Sequence, residues 1–264
     1  MTTKEGIRSR LKRGQAVVGT WLQLPSPDVA EIIGASGYDW AAVDLEHGAF
    51  TRSELPGIFR ALELGGTEPF ARLLSAERDQ IKAALDSGAR GLIFPMIESR
   101  AQLDEAIAQA LYPGGSGGYA GQRGVGYARA NNYGRHLSTH LDLEQGLGQH
   151  IVLAAQIEHV RALDNLDAIF SHPRLDAYIV GPYDLSASLG RPGDFEHPEF
   201  KTALARMTQT AKKHGLAMGL HQVQPDPAAL HARLAEGYTF LAYGIDALFL
   251  MQNAENPLKR IGLP

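Results

Sequence analysis

Short apolar runs alternate along the chain with longer segments of helical period. Eight runs stand out: AVVGTWL (16–22), WAAVDLE (40–46), PFARLL (69–74), GLIFPMI (91–97), IVLAAQIE (151–158), LDAYIVG (175–181), AMGLHQV (217–223) and FLAYGID (240–246). None shows strict apolar–polar alternation. Apolar residues at successive positions suit strands of a parallel sheet that is buried on both faces. Between them lie amphipathic stretches: SPDVAEIIGASG (26–37), SAERDQIKAALDSG (75–88), ESRAQLDEAIAQAL (98–111), HPEFKTALARMTQTAKKHG (197–215) and DPAALHARLAEG (226–237). Ser or Asp at the start caps exposed N–H groups, and Gly at the end takes the left-handed conformation that stops a helix. A glycine between helix and apolar run recurs at Gly37, Gly66, Gly88, Gly215 and Gly237.

Eight strand–helix units in 264 residues predict one (β/α)8 (TIM) barrel domain spanning 1–264. A doubly wound sheet is the competitor, but its Gly-rich first turn is missing. One segment breaks the rhythm: YPGGSGGYAGQRGVGYARANNYGR (112–135), glycine-rich and interrupted by Tyr119, Arg123, Tyr127, Arg129 and Tyr133. A loop of that length inside a compact domain is expected to be functional or disordered.

Composition narrows the function classes. The net charge of −4 gives no basic footprint for nucleic acid or anionic lipid. Cysteine is absent, which excludes disulfides, thiolate nucleophiles and zinc–thiolate sites. The N-terminal stretch has no apolar core of a secretory signal, and no run reaches membrane-spanning length, so a soluble cytoplasmic protein is expected.

In a TIM barrel the active site lies at the C-terminal ends of the strands. The polar residues there are Trp21 and Gln23, then Asp44, Glu46 and His47, then Arg72, Gln156, Glu158, Asp184, His221, Tyr243 and Asp246. Several acids near one point cannot all stay ionised without a cation. Carboxylates without cysteine suit a hard octahedral ion, Mg2+, Mn2+ or a neighbour such as Co2+. Each residue also has a structural alternative. Asp184 suits an Asx-type turn, Glu158 a solvated strand end, and His47 a hydrogen-bonded structural role. Arg72 is the stronger signal, because an arginine in an apolar strand needs a buried anion. That anion is Glu46, Asp44 or a substrate carboxylate. His159 follows Glu158 on the run and would point the opposite way, which favours an incidental role.

Six motifs in order, WAAVDLEHGAF, FARLL, ALDSGARGLIFPMIES, RGVGYARA, AAQIEH and IVGPYDLSASLG, resemble those of the metal-dependent (class II) pyruvate aldolases. That family is typified by 4-hydroxy-2-oxoheptanedioate aldolase and 2-dehydro-3-deoxyglucarate aldolase. The resemblance runs from about Gly19 to Asp246. It implies a (β/α)8 barrel in a hexamer with exchanged C-terminal helices, and a divalent metal on Glu158 and Asp184. It places a catalytic histidine on His47, held by Asp44, and a pyruvate-binding arginine on Arg72. Gln156 falls near the metal, and the backbone of Gly181, Pro182 and Tyr183 along the pyruvate carboxylate. Trp21 falls at the substrate, Glu46 behind a metal-bound water, and Asp86 near the site from an adjacent loop or subunit.

The implied activity is reversible cleavage of 4-hydroxy-2-oxo acids to pyruvate, or a close 2-oxo acid, and an aldehyde. Metal and Arg72 would stabilise the developing enolate, and His47 would move the hydroxyl proton with Asp44 fixing its tautomer. Lys82, Lys201, Lys212 and Lys213 fall on helices, which argues against a Schiff-base route. Three departures from the family stand out. Extra glycines precede Arg123, in a loop (112–124) expected over the site. His221 and Tyr243 stand where relatives carry apolar residues, so both are candidates for the aldehyde pocket or for satisfied polar contacts in the barrel. His159 stands where a smaller residue is common. The alternatives are a related metal-enolate lyase or decarboxylase acting on another 2-oxo acid or a CoA ester, and a silent barrel that only binds 2-oxo acids.

Overall fold

The fold is described from a computed structural model, over residues 5–114, 121–142, 146 and 150–257. Tyr119 and most of the extra glycines lie outside the described residues. All eight predicted strands form, as β1 (Val17–Leu22), β2 (Trp40–Asp44), β3 (Glu68–Arg72), β4 (Gly91–Phe94), β5 (Val152–Ile157), β6 (Ala177–Val180), β7 (Ala217–Gln222) and β8 (Phe240–Ile245). They pair in parallel, each with its sequence neighbours, and β8 pairs with β1 to close the barrel. The five glycines expected to stop helices all have positive φ, between +63° and +108°.

Two apolar layers explain the strand pattern. Residues facing outward, such as Leu22, Val43, Leu73, Leu92, Leu153 and Leu241, pack with the helices. Residues facing inward fill the barrel: Val17, Trp21, Trp40, Phe70, Ile93, Ile179 and Phe240 among small Ala42, Ala154, Ala177 and Ala242. Trp40 stacks between Phe70 (5.2 Å) and Phe240 (4.7 Å). Gly19 and Gly91 make this floor fit, because a Cβ at either would collide with the Trp40 indole or the Phe70 ring. Truncating Phe70 to alanine would cost about 3–5 kcal/mol.

A six-residue helix, Ile7–Lys12, plugs the N-terminal end of the barrel with Ile7 and Leu11. It is too short and polar to stand out by periodicity. The helix Leu55–Gly65 also goes beyond the predicted segments. The glycine-rich segment corrects another expectation. It follows the helix Arg100–Ala110 and precedes β5, so its described part lies at the N-terminal ends of the strands, away from this chain's own site. Arg123 stacks on Tyr112 (4.4 Å) and meets Asp86 (3.2 Å). Arg129 holds the carbonyl of Ser87 and the carboxylate of Glu63.

Candidate active site

Asp44 ends β2 beside Arg72, its register partner on β3. The pair is bidentate: Arg72 donates Nε to Oδ1 (2.9 Å) and Nη2 to Oδ2 (2.5 Å) of Asp44. A third arm, Nη1, lies 3.0 Å from Glu46 Oε2. Asp44 also accepts from Gln23 Nε2 (2.9 Å) and from the backbone N–H groups of Glu46 and His47 (3.1 Å each). Burial alone would raise its pKa, but Arg72, Gln23 and these N–H groups together hold the carboxyl below its usual range. Both anions considered for Arg72, Asp44 and Glu46, are therefore real partners.

His47 is exposed at the rim of the cavity and follows the turn that Asp44 organises. Asp44 reaches it through the His47 backbone N–H and not through the imidazole. The expectation that Asp44 fixes the His47 tautomer is thus corrected. Both Asp44 oxygens are committed to Arg72, and Asp44 shapes the loop that carries His47.

Glu158 stands one residue beyond β5 and is almost fully buried. It accepts from the Met96 N–H (2.7 Å) and from Gln156 Nε2. Met96 turns its N–H inward through a left-handed backbone, φ +51°. Burial first, and then the charges of Glu46 and Asp184, push the Glu158 carboxyl up to about 7. Asp184 sits in the first turn of the helix Pro182–Ser188 and is exposed. No side chain caps that helix, whose N-cap is Gly181, so the Asx-turn role for Asp184 is not seen. A Cβ at Gly181 would strike Glu158 Oε2, so only glycine leaves room for the carboxylate here.

These groups converge on a cavity of about 200 Å3 lined by Trp21, Gln23, Asp44, His47, Arg72, Gln156, Gly181, Pro182, Tyr183, Asp184 and His221, with Ile179, Val180, Val223 and Ile245. The donor set fits a hard divalent cation. Glu158 and Asp184 would supply carboxylate oxygens, and the buried Gln156 Oε1 has no hydrogen-bond partner among the described residues. A carboxyl raised by burial, and further by its acidic neighbours, is what a cation there would relieve. No group of three or more His, Cys, Asp or Glu ligands gathers among the described residues. Two carboxylates with water and substrate oxygens suffice for an ion such as Mg2+.

The remaining candidates separate. Trp21 and His221 join the cavity, bonded to each other from β1 and β7. Tyr243 does not: it faces outward against Phe249, 6.3 Å away, and is corrected to a packing residue. Asp246 accepts the N–H groups of Gln23, Leu24 and Ala247 and ties β8 to the end of β1. Asp86 and Arg123 lie at the opposite end of the barrel, so no adjacent loop of the same chain brings them to this site. His159 accepts from the Arg161 N–H and caps the helix Val160–Leu163. Sequence reasoning missed the Met96 N–H, a backbone group without a residue-type signal, and the grip of Gln23 on Asp44.

A parallel eight-stranded barrel with acids, a histidine and an arginine gathered at its C-terminal strand ends defines an enzyme of the (β/α)8 class. The chain belongs to the HpcH/HpaI aldolase/citrate lyase family, whose sequence pattern it matches over residues 17–253. It is 34% identical over 258 residues to a hydroxypyruvate/pyruvate aldolase of Paraburkholderia phytofirmans, covering 97% of this chain and 96% of that one. It is 36% identical over 250 residues to a 2-keto-3-deoxy-L-rhamnonate aldolase of Klebsiella pneumoniae, covering 94% and 90%. An HpcH/HpaI aldolase/citrate lyase family protein from Burkholderia cenocepacia has the same fold, with a TM-score of 0.88, 32% identity and coverage of 97% and 98%. The family is generally dependent on a divalent metal. No helix among the described residues is long and apolar enough to cross a membrane.

Proposed function

We propose that the chain cleaves 4-hydroxy-2-oxo acids reversibly to pyruvate, or a close 2-oxo acid, and an aldehyde. The observation that carries this reading is Arg72, held by Asp44 and Glu46 yet lining a cavity whose other wall is Gln156, Gly181 and Asp184, with the Glu158 carboxylate packed against Gln156 and Gly181. Glu158 and Asp184 would hold Mg2+, Mn2+ or Co2+, which supplies Lewis-acid stabilisation of negative charge when bound.

The chain's own residues do the rest. A guanidinium has five N–H groups; two of those on Arg72 are hydrogen-bonded to Asp44, and Nη1 meets Glu46 only as an ion pair, which leaves N–H groups for the substrate. They donate to the keto oxygen as it gains enolate charge. The first turn of the helix Pro182–Ser188 has N–H groups without helical partners, and the substrate carboxylate lies along Gly181, Pro182 and Tyr183. His47 takes the proton of the C4 hydroxyl. The C3–C4 bond breaks, its electron pair forms the enolate of pyruvate, and the aldehyde departs. Protonation at C3 completes the product.

Neither alternative lyase chemistry nor a lysine route finds support at the cavity. A CoA ester needs a basic groove, and among the described residues Arg72 is the only Lys or Arg in the cavity lining. Lys82 lies on the helix Arg78–Ser87, and Lys201, Lys212 and Lys213 lie on the helix Pro198–His214, as the sequence suggests.

Assembly as a homo-oligomer, a hexamer with exchanged C-terminal helices, belongs to the same proposal. Leu250 (61% exposed) and Met251 (71%) on the helix Asp246–Asn253 support it. Asp86 and Arg123 would then act at a neighbouring protomer's site. Light scattering tests the assembly.

The activity test uses metal-stripped protein, 4-hydroxy-2-oxo acids, and pyruvate release coupled to lactate dehydrogenase. Adding Mg2+ or Mn2+ restores release, and borohydride with pyruvate leaves no adduct on lysine. Release that metal does not restore, or a lysine adduct, overturns the reading.

A further inference from the structure

His221 lines the cavity near Arg72 and Asp44, where an imidazole would ordinarily be read as an acid or base. Its bonds leave it no proton to move. Nδ1 accepts the Trp21 indole N–H at 2.5 Å, and Nε2 lies 3.1 Å from the Gly244 carbonyl oxygen. An indole N–H only donates and a carbonyl only accepts, so the two partners fix one neutral tautomer, protonated on Nε2. Burial, together with the charge of Arg72, lowers its pKa to about 3.

Trp21 is the other half of this device. The Arg72 guanidinium carbon lies 5.2 Å from its ring centroid. Trp40 meets the same indole edge-on at 5.9 Å, and Trp40 is itself clamped between Phe70 and Phe240. The indole thus rests on a rigid floor, is pinned at its N–H by His221, and backs the guanidinium. Arg72 is held by Asp44 and Glu46 on its other sides.

We infer that His221 is a positioning residue for the 2-oxo acid: a neutral acceptor that holds Trp21 as the wall behind Arg72 and so aims the substrate-facing N–H groups of that guanidinium. The inference rests on the proposed role of Arg72 as substrate donor. An apolar residue at this place leaves the buried Trp21 N–H without an acceptor. The indole then turns to find one, and Arg72 loses its backing.

The test uses the metal-loaded enzyme, with pyruvate affinity from calorimetry and kcat and KM from pyruvate release. His221→Leu should weaken pyruvate binding about ten-fold, the worth of one buried hydrogen bond, and raise KM more than it lowers kcat. His221→Gln, whose amide accepts at oxygen and donates at nitrogen, should restore binding to within about three-fold. Trp21→Phe keeps a ring and removes the N–H. It should weaken binding by a similar factor, and adding His221→Leu to it should cost less than about two-fold more. If His221→Leu does not fold, Trp21→Phe alone carries the test. Unchanged pyruvate affinity in the folded variants, or full additivity in the double variant, overturns the inference. So does a kcat loss with wild-type KM and a lost ionisation in the pH profile, which would make His221 a proton carrier. Arg72→Lys keeps the two readings apart: if it leaves pyruvate binding intact, the substrate site itself is wrong. If it abolishes binding while His221→Leu does not, only the positioning role fails.

Discussion

Asp44 and Asp176 are both buried aspartates that hold arginines, one at each end of the barrel. Asp176 precedes β6. It accepts Arg8 Nε (2.8 Å), Arg174 Nη1 (2.8 Å) and the Leu153 N–H (3.0 Å), while Arg174 Nη2 reaches the Ile151 carbonyl (2.9 Å). These bonds sew the plugging helix to β5 and β6. At Asp44 one arginine faces two carboxylates, and Glu158 and Asp184 bring two more toward the same cavity. The ion pair is common to both ends; the surplus of negative charge is not. Cavity size points the wrong way, because a larger hollow of about 550 Å3 lies at the N-terminal end beside Arg60, Arg90, Arg123 and Arg129. Uncompensated charge of one sign, facing a space that can hold its counter-ion, separates a site from a staple.

Removing a ligand should break this contrast most visibly. Glu158→Ala should lose at least about 100-fold in divalent-metal affinity by calorimetry, with activity falling alongside. Wild-type affinity for Mn2+ in that variant would strip the C-terminal end of its special status.

Asp44→Asn and Asp176→Asn make a matched pair. Each breaks a buried carboxylate–arginine contact and should cost about 3 kcal/mol in urea unfolding. Only Asp44→Asn should also lower kcat/KM, by about 100- to 1,000-fold, because Arg72 then loses its aim. Asp176→Asn should keep its activity per folded molecule within about two-fold. Equal activity losses in the two variants would erase the distinction between the two ends.

Acid sensitivity sharpens the comparison from another side. Burial lowers the pKa of His140 and His172, toward the N-terminal end, to about 4 each, and that of His221 to about 3. From about pH 6.5 down to 4 the unfolded chain takes up protons on these imidazoles that the folded chain refuses. Their contribution is a stability that is full above pH 6.5 and falls with falling pH. Glu158, raised to about 7, acts with the opposite sign in metal-free protein. Glu158→Gln removes this opposing contribution: its Tm should drop from pH 7 to 4.5, and adding His140→Gln should lessen that drop. A flat profile would mean these imidazoles are open to solvent.

The strands were legible because each is apolar on both faces, and most helix ends because a glycine marks them. The helix Leu55–Gly65 was harder, since its N-cap Glu54 makes no side-chain cap bond. Within the site, the residue types at strand ends were legible and their pairings were not. The family resemblance implied a dyad of Asp44 and His47. The β2–β3 register instead sets Asp44 beside Arg72. The bond from Trp21 on β1 to His221 on β7 passes over β8, and no spacing in the sequence announces it. Tyr243 shows the limit of reading strand ends alone, because one step along β8 decides whether a side chain faces the barrel interior or the helices.

The smallest expected effect belongs to His159, in the second of the two Glu-His pairs, VDLEHG and QIEHV. In the first, Glu46 pairs with Arg72 and His47 stands at the rim, exposed and without a side-chain hydrogen bond among the described residues. In the second, Glu158 is buried, and His159 caps the four-residue helix Val160–Leu163, with Glu98 3.7 Å from its Nδ1. A cap of this kind is worth about 1 kcal/mol. His159→Ala should therefore lower stability by about that amount and leave metal affinity and kcat unchanged. His47→Ala should do the reverse, slowing C–C cleavage by about 100-fold or more with metal affinity intact. A kinetic defect in His159→Ala with wild-type melting would show that the second histidine also works at the site, and the likeness between the two pairs would then be one of function.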